Sequence, residues 1–256
     1  MLPVATGSAT KLIGILSHSD KEYVALAQLH RAVDRERFEE VVREFVGRIY
    51  QRPPVRSSVK RVLRVKEVYA IEILELEGEY VLMRVACQHG TYIRKLIHDI
   101  GEVLGAGAHM RELRRVRTGP FREDTSVRMH ELSEAIYLYR ELGREDAVKS
   151  VILPHEYIVA GLPKVAILDG AVAAVAYGAD LAVPGVSVVS EGIRRGDLVA
   201  LFSLKGELVA LAEALMSTEE ILAKDRGIAF KTRRVVIPRD TYPRTWRKRE
   251  PTQKAT

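Results

Sequence analysis

The sequence predicts an α+β protein: a mixed, mostly antiparallel sheet with helices, followed by a small β-barrel. Three observations predict it. Tyr80-Val-Leu-Met-Arg-Val-Ala86 is rich in β-formers and runs on to Gly90, after which Ile93, Leu96, Ile97 and Ile100 recur at helical spacing. Pro154 and Gly161-Leu-Pro163 then interrupt the chain as a linker. From Lys164 short apolar segments follow at close intervals, punctuated by Gly170, Gly178, Gly185, Gly192, Gly196 and Gly206, which is the texture of a compact barrel. A chain of 256 residues, 47% of them hydrophobic, can pack one large or two ordinary domains.

Taken in order, Met1-Leu-Pro-Val-Ala-Thr-Gly-Ser-Ala-Thr-Lys-Leu12 leads straight into Ile13 and reads as the middle of a domain. Lys21–Leu29 alternates as a strand, with Tyr23, Ala25, Ala27 and Leu29 on one face and Glu22, Val24, Leu26 and Gln28 on the other. Asp34 is placed to cap a helix from Arg35 to Phe45, whose Phe38, Val41, Val42 and Phe45 share a face, and Gly47 fits its end. Pro53-Pro54 forbids helix, so Tyr50 to Arg61 is an extended, basic, hydroxyl-bearing loop, either a phosphate contact or a plain connector. Val62 to Leu76 suits one bent strand or two, and Glu77-Gly78-Glu79 turns the chain back into the Tyr80 strand.

Arg94 follows at a helix start just beyond a strand end. An arginine there either ends in solvent or holds a carboxylate or phosphate in a planar, two-pronged contact. Leu113-Arg-Arg-Val-Arg-Thr-Gly-Pro-Phe121 reads as a basic turn, and Met129–Gly143 as a helix closing the first domain. The barrel strands fall at Val165–Leu168, Val186–Val189, Asp197–Phe202, Glu207–Ala214 and Ile228–Val236. The expected domains are therefore residues 1–153, residues 162–238, and a polar, basic tail over 239–256, with Trp246, expected to be partly disordered.

Charge points to a polyanion. The net charge is +6, but residues 226–256 hold ten Lys/Arg against Asp240 and Glu250, a local excess of +8 that leaves −2 for the first 225 residues. A second cluster, from Arg43 to Lys66, sets eight Lys/Arg against Glu44 alone, and a third comprises Arg111, Arg114, Arg115, Arg117 and Arg122. Three basic clusters spaced along one chain favour a nucleic acid tracked over a long path.

Other classes are excluded or disfavoured. No apolar run approaches the roughly 20 residues that span a bilayer, and the N-terminus lacks a secretory pattern, so no membrane partner and a cytoplasmic location are expected. Cys87, the one cysteine, excludes an internal disulfide and a multi-cysteine zinc site and is expected in the core. His-Glu-x-x-His, phosphate-loop, dinucleotide and Gly-x-Ser-x-Gly patterns are all missing, and the seven histidines have no metal-ligand spacing. No metal and no cofactor are predicted.

Lys21-Glu-Tyr-Val24, Gln51-Arg-Pro-Pro-Val-Arg-Ser-Ser-Val-Lys60, Gly90-Thr-Tyr-Ile-Arg-Lys-Leu96 and Leu113–Phe121, in that order, resemble the TruB-type pseudouridine synthases, most closely the H/ACA-guided branch that includes dyskerin. The stretch from about Leu162 to Pro238 resembles that branch's PUA domain. The resemblance covers nearly the whole chain. It implies a pseudouridine synthase fold and isomerisation of a flipped uridine to pseudouridine, without a cofactor, in the tRNA TΨC loop or at guide-directed sites in rRNA. By this resemblance Tyr23 stacks on the flipped base and takes part in proton transfer, Tyr92 lines the pocket, and Arg94 pairs with a nucleophilic aspartate, keeping it ionised and aimed. Lys21, Gln51, Arg52, Arg56, Lys60, Arg61, Arg114, Arg115, Arg117, Lys231, Arg233 and Arg234 are the expected RNA contacts. tRNA, H/ACA guide RNA, rRNA and small H/ACA ribonucleoprotein proteins are the implied partners.

The sequence departs from the family at one place. The family's nucleophile lies in a Gly-Thr-Leu-Asp-Pro-type motif before a Gly-x-Leu-Pro-Val stretch, and here Met1-Leu2-Pro3-Val4 opens the chain. The expectation is an N-terminally incomplete catalytic domain whose recorded start is an internal methionine of a longer enzyme, since loss of leading strands exposes unpaired edges and apolar surface. The alternative is a catalytically dead RNA-binding scaffold.

Overall fold

Period-two burial along Lys21-Glu-Tyr-Val-Ala-Leu-Ala-Gln-Leu29 makes that stretch the strand β1 (Lys21–Leu29), with Ala25, Ala27 and Leu29 in the core. The computed structural model describes residues 1–53 and 59–243. The chain divides into two units, one of Met1–Val4 with Gly14–Ile152, the other of Ala5–Ile13 with Leu153–Thr256. The segment Ala5–Ile13 therefore groups with the second unit rather than with residues 1–153.

In the first unit β1 pairs antiparallel with β4 (Tyr80–Cys87) on one side and β5 (Ala108–Thr118) on the other. Adding β2 (Gly47–Gln51), β3 (Arg64–Glu77) and β6 (Phe121–Arg122) gives a six-stranded sheet of order β2-β3-β4-β1-β5-β6. Val62 to Leu76 thus resolves as one long strand, with register shifts between Val68 and Ala70 and between Ile73 and Glu75. The basic turn expected at Leu113–Phe121 is instead mostly strand β5. Its three arginines hide the alternation, because long side chains shield a strand whether they point in or out.

Two helices cover one face of this sheet. After the short helix α1 (Ile13–His18) come α2 (Arg35–Glu44), which supplies Phe38, Val41 and Val42, and α3 (Ile93–Val103), which supplies Ile93, Leu96, Ile97 and Ile100. All pack in one cluster with Val81, Met83, Val85 and Cys87 of β4. Asp34 occupies the N-cap of α2 but its side chain makes no cap bond, and Gly47, at φ +107°, opens β2 rather than closing the helix. α3 lies tight on β5: a Cβ at Gly101 would sit 2.3 Å from the Ala108 nitrogen. On the opposite face an ion-pair ladder crosses β3, β4, β1 and β5, from Glu72 to Arg84 (3.6 Å), Arg84 to Glu22 (3.6 Å) and Glu22 to Arg117 (3.1 Å). Helices α4 (Met129–Leu142), ended by Gly143 at φ +66°, and α5 (Glu145–Val151) complete the unit.

The second unit is a six-stranded sheet of order β8-β12-β11-β10-β7-β9. Its strands are β7 (Lys164–Ile167), β8 (Leu181–Ala182), β9 (Val186–Val189), β10 (Leu198–Ser203), β11 (Leu208–Ala214) and β12 (Ile228–Val235). β7 and β10 pair in parallel, the other neighbours antiparallel. Helices α6 (Asp169–Ala176) and α7 (Thr218–Ala223) were not expected. Gly170 reads as punctuation yet lies inside α6, whose Val172, Ala173, Val175 and Ala176 are buried in the sheet's core. The Lys11 ammonium donates to the Val236 carbonyl (3.3 Å), tying Ala5–Ile13 into this unit. Most of the basic tail, residues 244–256 with Trp246, lies outside the described residues.

Candidate functional site

Tyr23 lies on the helix-covered face of the sheet, opposite Val85 of β4 and Arg115 of β5, and packs half-buried against the core cluster that contains Ile93. Burial lifts its phenol above the ordinary value, while the guanidinium of Arg115, hydrogen-bonded to it, pulls the other way. The phenol therefore stays protonated at neutral pH. Arg115 also donates to the Met1 carbonyl (3.3 and 3.2 Å), and the Met1 amino group donates to the Arg115 carbonyl (2.8 Å).

The turn from β4 into α3 carries Tyr92 and Arg94. Gly90 at φ +74° allows it, and the Thr91 hydroxyl closes it on the Gln88 carbonyl (2.8 Å). The Lys66 ammonium, reaching over from β3, donates to the His89 carbonyl (2.8 Å). Gln51 holds the turn from β2: its Oε1 accepts from the Tyr92 N–H (2.9 Å) and its Nε2 donates to the Tyr92 carbonyl (3.2 Å). Tyr92 is the N-cap of α3, in an extended conformation. Arg94, in the first turn, is exposed and has no partner among the described residues. An unpaired guanidinium on an anchored turn is preorganised to receive an anion.

The structure corrects two expected RNA contacts. Gln51 is 1% exposed, with its amide spent on Tyr92. Lys21 is 8% exposed, and its ammonium donates to the carbonyls of Leu16 (3.0 Å), Ser17 (2.9 Å) and Ser19 (2.5 Å), satisfying the end of α1. A long polar side chain beside other basic residues looks alike in sequence whether it faces water or its own backbone.

Other cations already have partners. Arg114 grips the Glu123 carboxylate through Nε (2.7 and 2.9 Å), Arg117 is in the ladder with Glu22, and Arg233 pairs with Glu213. Arg52, Lys60, Arg61, Lys231 and Arg234 are exposed without partners among the described residues, whereas Arg56 lies outside them. Tyr23, Tyr92 and Arg94 belong to the first unit, Lys231, Arg233 and Arg234 to the second.

The sequence does not single out Tyr69. The Tyr69 hydroxyl donates to the Asp20 carboxylate (2.9 Å), and partial burial with that bond pushes the phenol up to about 12. Cys87 is a buried core residue as expected, and burial lifts its thiol to about 11. No group of three or more His, Cys, Asp or Glu among the described residues is placed to hold a metal ion. No helix among them is long and apolar enough to cross a membrane.

Comparison with known proteins agrees with this arrangement along the chain. Residues 1–93 match the TruB family pseudouridylate synthase N-terminal domain, residues 94–160 the tRNA pseudouridylate synthase B C-terminal domain, and residues 163–236 the PUA domain. The match from residue 1 shows the N-terminal part present, which corrects the expectation of a catalytic domain lacking its N-terminal portion; the Asp-Pro motif itself is not in the sequence. The chain is 53% identical to the probable tRNA pseudouridine synthase B of Pyrococcus furiosus over 251 residues, 98% of this chain and 74% of that protein. It is 50% identical to the protein of the same name from Saccharolobus solfataricus, covering 98% of this chain and 100% of that one. Among solved structures, a Cbf5-Nop10-Gar1 complex matches with a TM-score of 0.90 and 52% identity, over 95% of this chain and 74% of that one. An H/ACA ribonucleoprotein bound to a substrate RNA containing 2'-deoxyuridine matches at 0.87 and 49%, over 94% and 74%.

Proposed function

The chain belongs to the TruB family of pseudouridylate synthases, and from that premise we propose that it isomerises uridine to pseudouridine in the tRNA TΨC loop, at H/ACA guide-directed rRNA sites, or at both. The observation that carries the reading is the anchored turn, which holds Tyr92 by Gln51 and presents an exposed Arg94 that has no partner among the described residues.

In this reading Arg94 pairs with the nucleophilic carboxylate, keeping it ionised and directed at the nucleoside. Tyr23 stacks on the flipped uracil, and its phenol, kept protonated by burial, takes part in moving the proton. Tyr92 forms a second wall. Arg52, Lys60 and Arg61 meet the RNA backbone, and Lys231 and Arg234 of the PUA domain meet a guide or tRNA end. One solved relative is a Cbf5-Nop10-Gar1 complex and the other an H/ACA ribonucleoprotein bound to a substrate RNA, which supports partners of that kind here. A cytoplasmic location belongs to the same proposal.

Tritium release from RNA labelled at uridine C5 tests the function, with the 256-residue chain run beside a version extended upstream in frame. Release that tracks pseudouridine mapped at one position supports the reading. RNA binding without release in either version favours the scaffold instead.

A further inference from the structure

Gln51, expected as an RNA contact, is instead 1% exposed, with both ends of its carboxamide bonded inside the protein. It closes β2, and its carboxamide forms a two-bond ring with the peptide groups on both sides of the Tyr92 Cα. The Tyr92 carbonyl also accepts the first bond of α3, from the Leu96 N–H (3.0 Å). One side chain therefore fixes the peptide plane from which the helix starts, at the backbone of Tyr92 and two residues before Arg94. The bond spans 41 residues of chain, so the turn's own hydrogen bonds cannot supply it.

Resting on the function proposed above, we propose that Gln51 is a positioning residue of the reaction, which holds Tyr92 and Arg94 in register with the flipped uridine. The geometry demands a donor and an acceptor on one planar group at this length. Asparagine is a methylene too short. Methionine fills the space but offers neither donor nor acceptor, leaving the Tyr92 N–H unpaired. Glutamate keeps the acceptor and, only when protonated, regains the donor. A shift of about 1 Å in reacting groups costs on the order of 100-fold in rate.

The test compares Gln51→Met and Gln51→Glu with wild type in the 256-residue protein, assayed with its substrate RNA. Steady-state tritium release is read with thermal melting and with the fluorescence of 2-aminopurine placed beside the target uridine. The expected result is a kcat about 100-fold lower in Gln51→Met, with KM and RNA affinity little changed and melting still cooperative. Gln51→Glu should regain kcat as pH falls through the carboxyl pKa, against the wild-type profile. A Gln51→Met kcat equal to wild type, or a Gln51→Glu profile parallel to wild type, overturns the proposal. Should wild type itself release no tritium, the function reading fails separately. Gln51 is then judged on whether the methionine variant loses the 2-aminopurine signal of the flipped state, an unchanged signal overturning its role.

Discussion

At the scale of single residues, the division of labour among polar side chains is set by burial, which sequence shows only indirectly. Lys21 and Arg94 are both basic and both lie in matched motifs, yet one is sealed under three carbonyls and the other is exposed without a partner among the described residues. Lys21→Met should therefore destabilise the protein by about 1.5–3 kcal/mol, the range for hydrogen bonds from a charged donor. In denaturant melts that loss should appear with RNA affinity per folded molecule unchanged. Arg94→Ala should do the reverse, abolishing turnover while RNA binding persists, because phosphate contacts elsewhere supply most of the affinity; equal loss of both would make Arg94 an RNA or structural contact.

Tyr69 gives a pH prediction at the same scale. Its folded-state pKa is raised from 10 to about 12, so folding favours the neutral phenol. The stabilisation is complete below pH 10 and is lost as pH rises from 10 to 12. Because Tyr69 is 42% exposed, solvent screens the effect and it should be small. Melting temperatures of Tyr69→Phe and wild type should converge across that window, and a constant gap would contradict the assignment.

At the scale of elements, legibility followed periodicity. α3 could be read from Ile93, Leu96, Ile97 and Ile100 because its buried stripe is apolar and its outer face polar, and β1 from the period-two placement of Ala25, Ala27 and Leu29. β5 could not, because Arg111, Arg114, Arg115 and Arg117 break the alternation, and Glu22, the carboxylate partner of Arg117, lies 95 residues away in sequence. α6 was missed for the opposite reason: an Ala/Val run carries no polar face, and Gly170 imitates a turn. The contact between α3 and β5 makes the strongest prediction here. Gly101→Ala places a Cβ 2.3 Å from the Ala108 nitrogen, and separating helix from strand should cost about 1–3 kcal/mol in a urea melt. Turnover should fall as well, since α3 carries Arg94.

At the scale of the whole molecule, the three basic clusters predicted a polyanion, and the structure sorts them by availability. Arg52, Lys60 and Arg61 are exposed and unpaired among the described residues, so neutralising each should lower the slope of log affinity against log salt by about one. Arg114 and Arg117 are held by Glu123 and Glu22, and their removal should leave that slope nearly unchanged. Equal slopes for both sets would show that the ion pairs open to RNA. A small β-barrel was legible from glycine-spaced strands, and its PUA character only through the family resemblance, whereas the grouping of Ala5–Ile13 with the second unit was not legible, since no local pattern marks a segment that packs far along the chain. That an anchored Arg94 serves uridine isomerisation is read out by tritium release from C5-labelled tRNA and guide-paired substrate RNA, using the 256-residue protein and its Arg94→Ala variant. The account predicts release by the first, coincident with pseudouridine at one site, and none by the variant at equal RNA occupancy; undiminished release by the variant, or none by either protein, would contradict it.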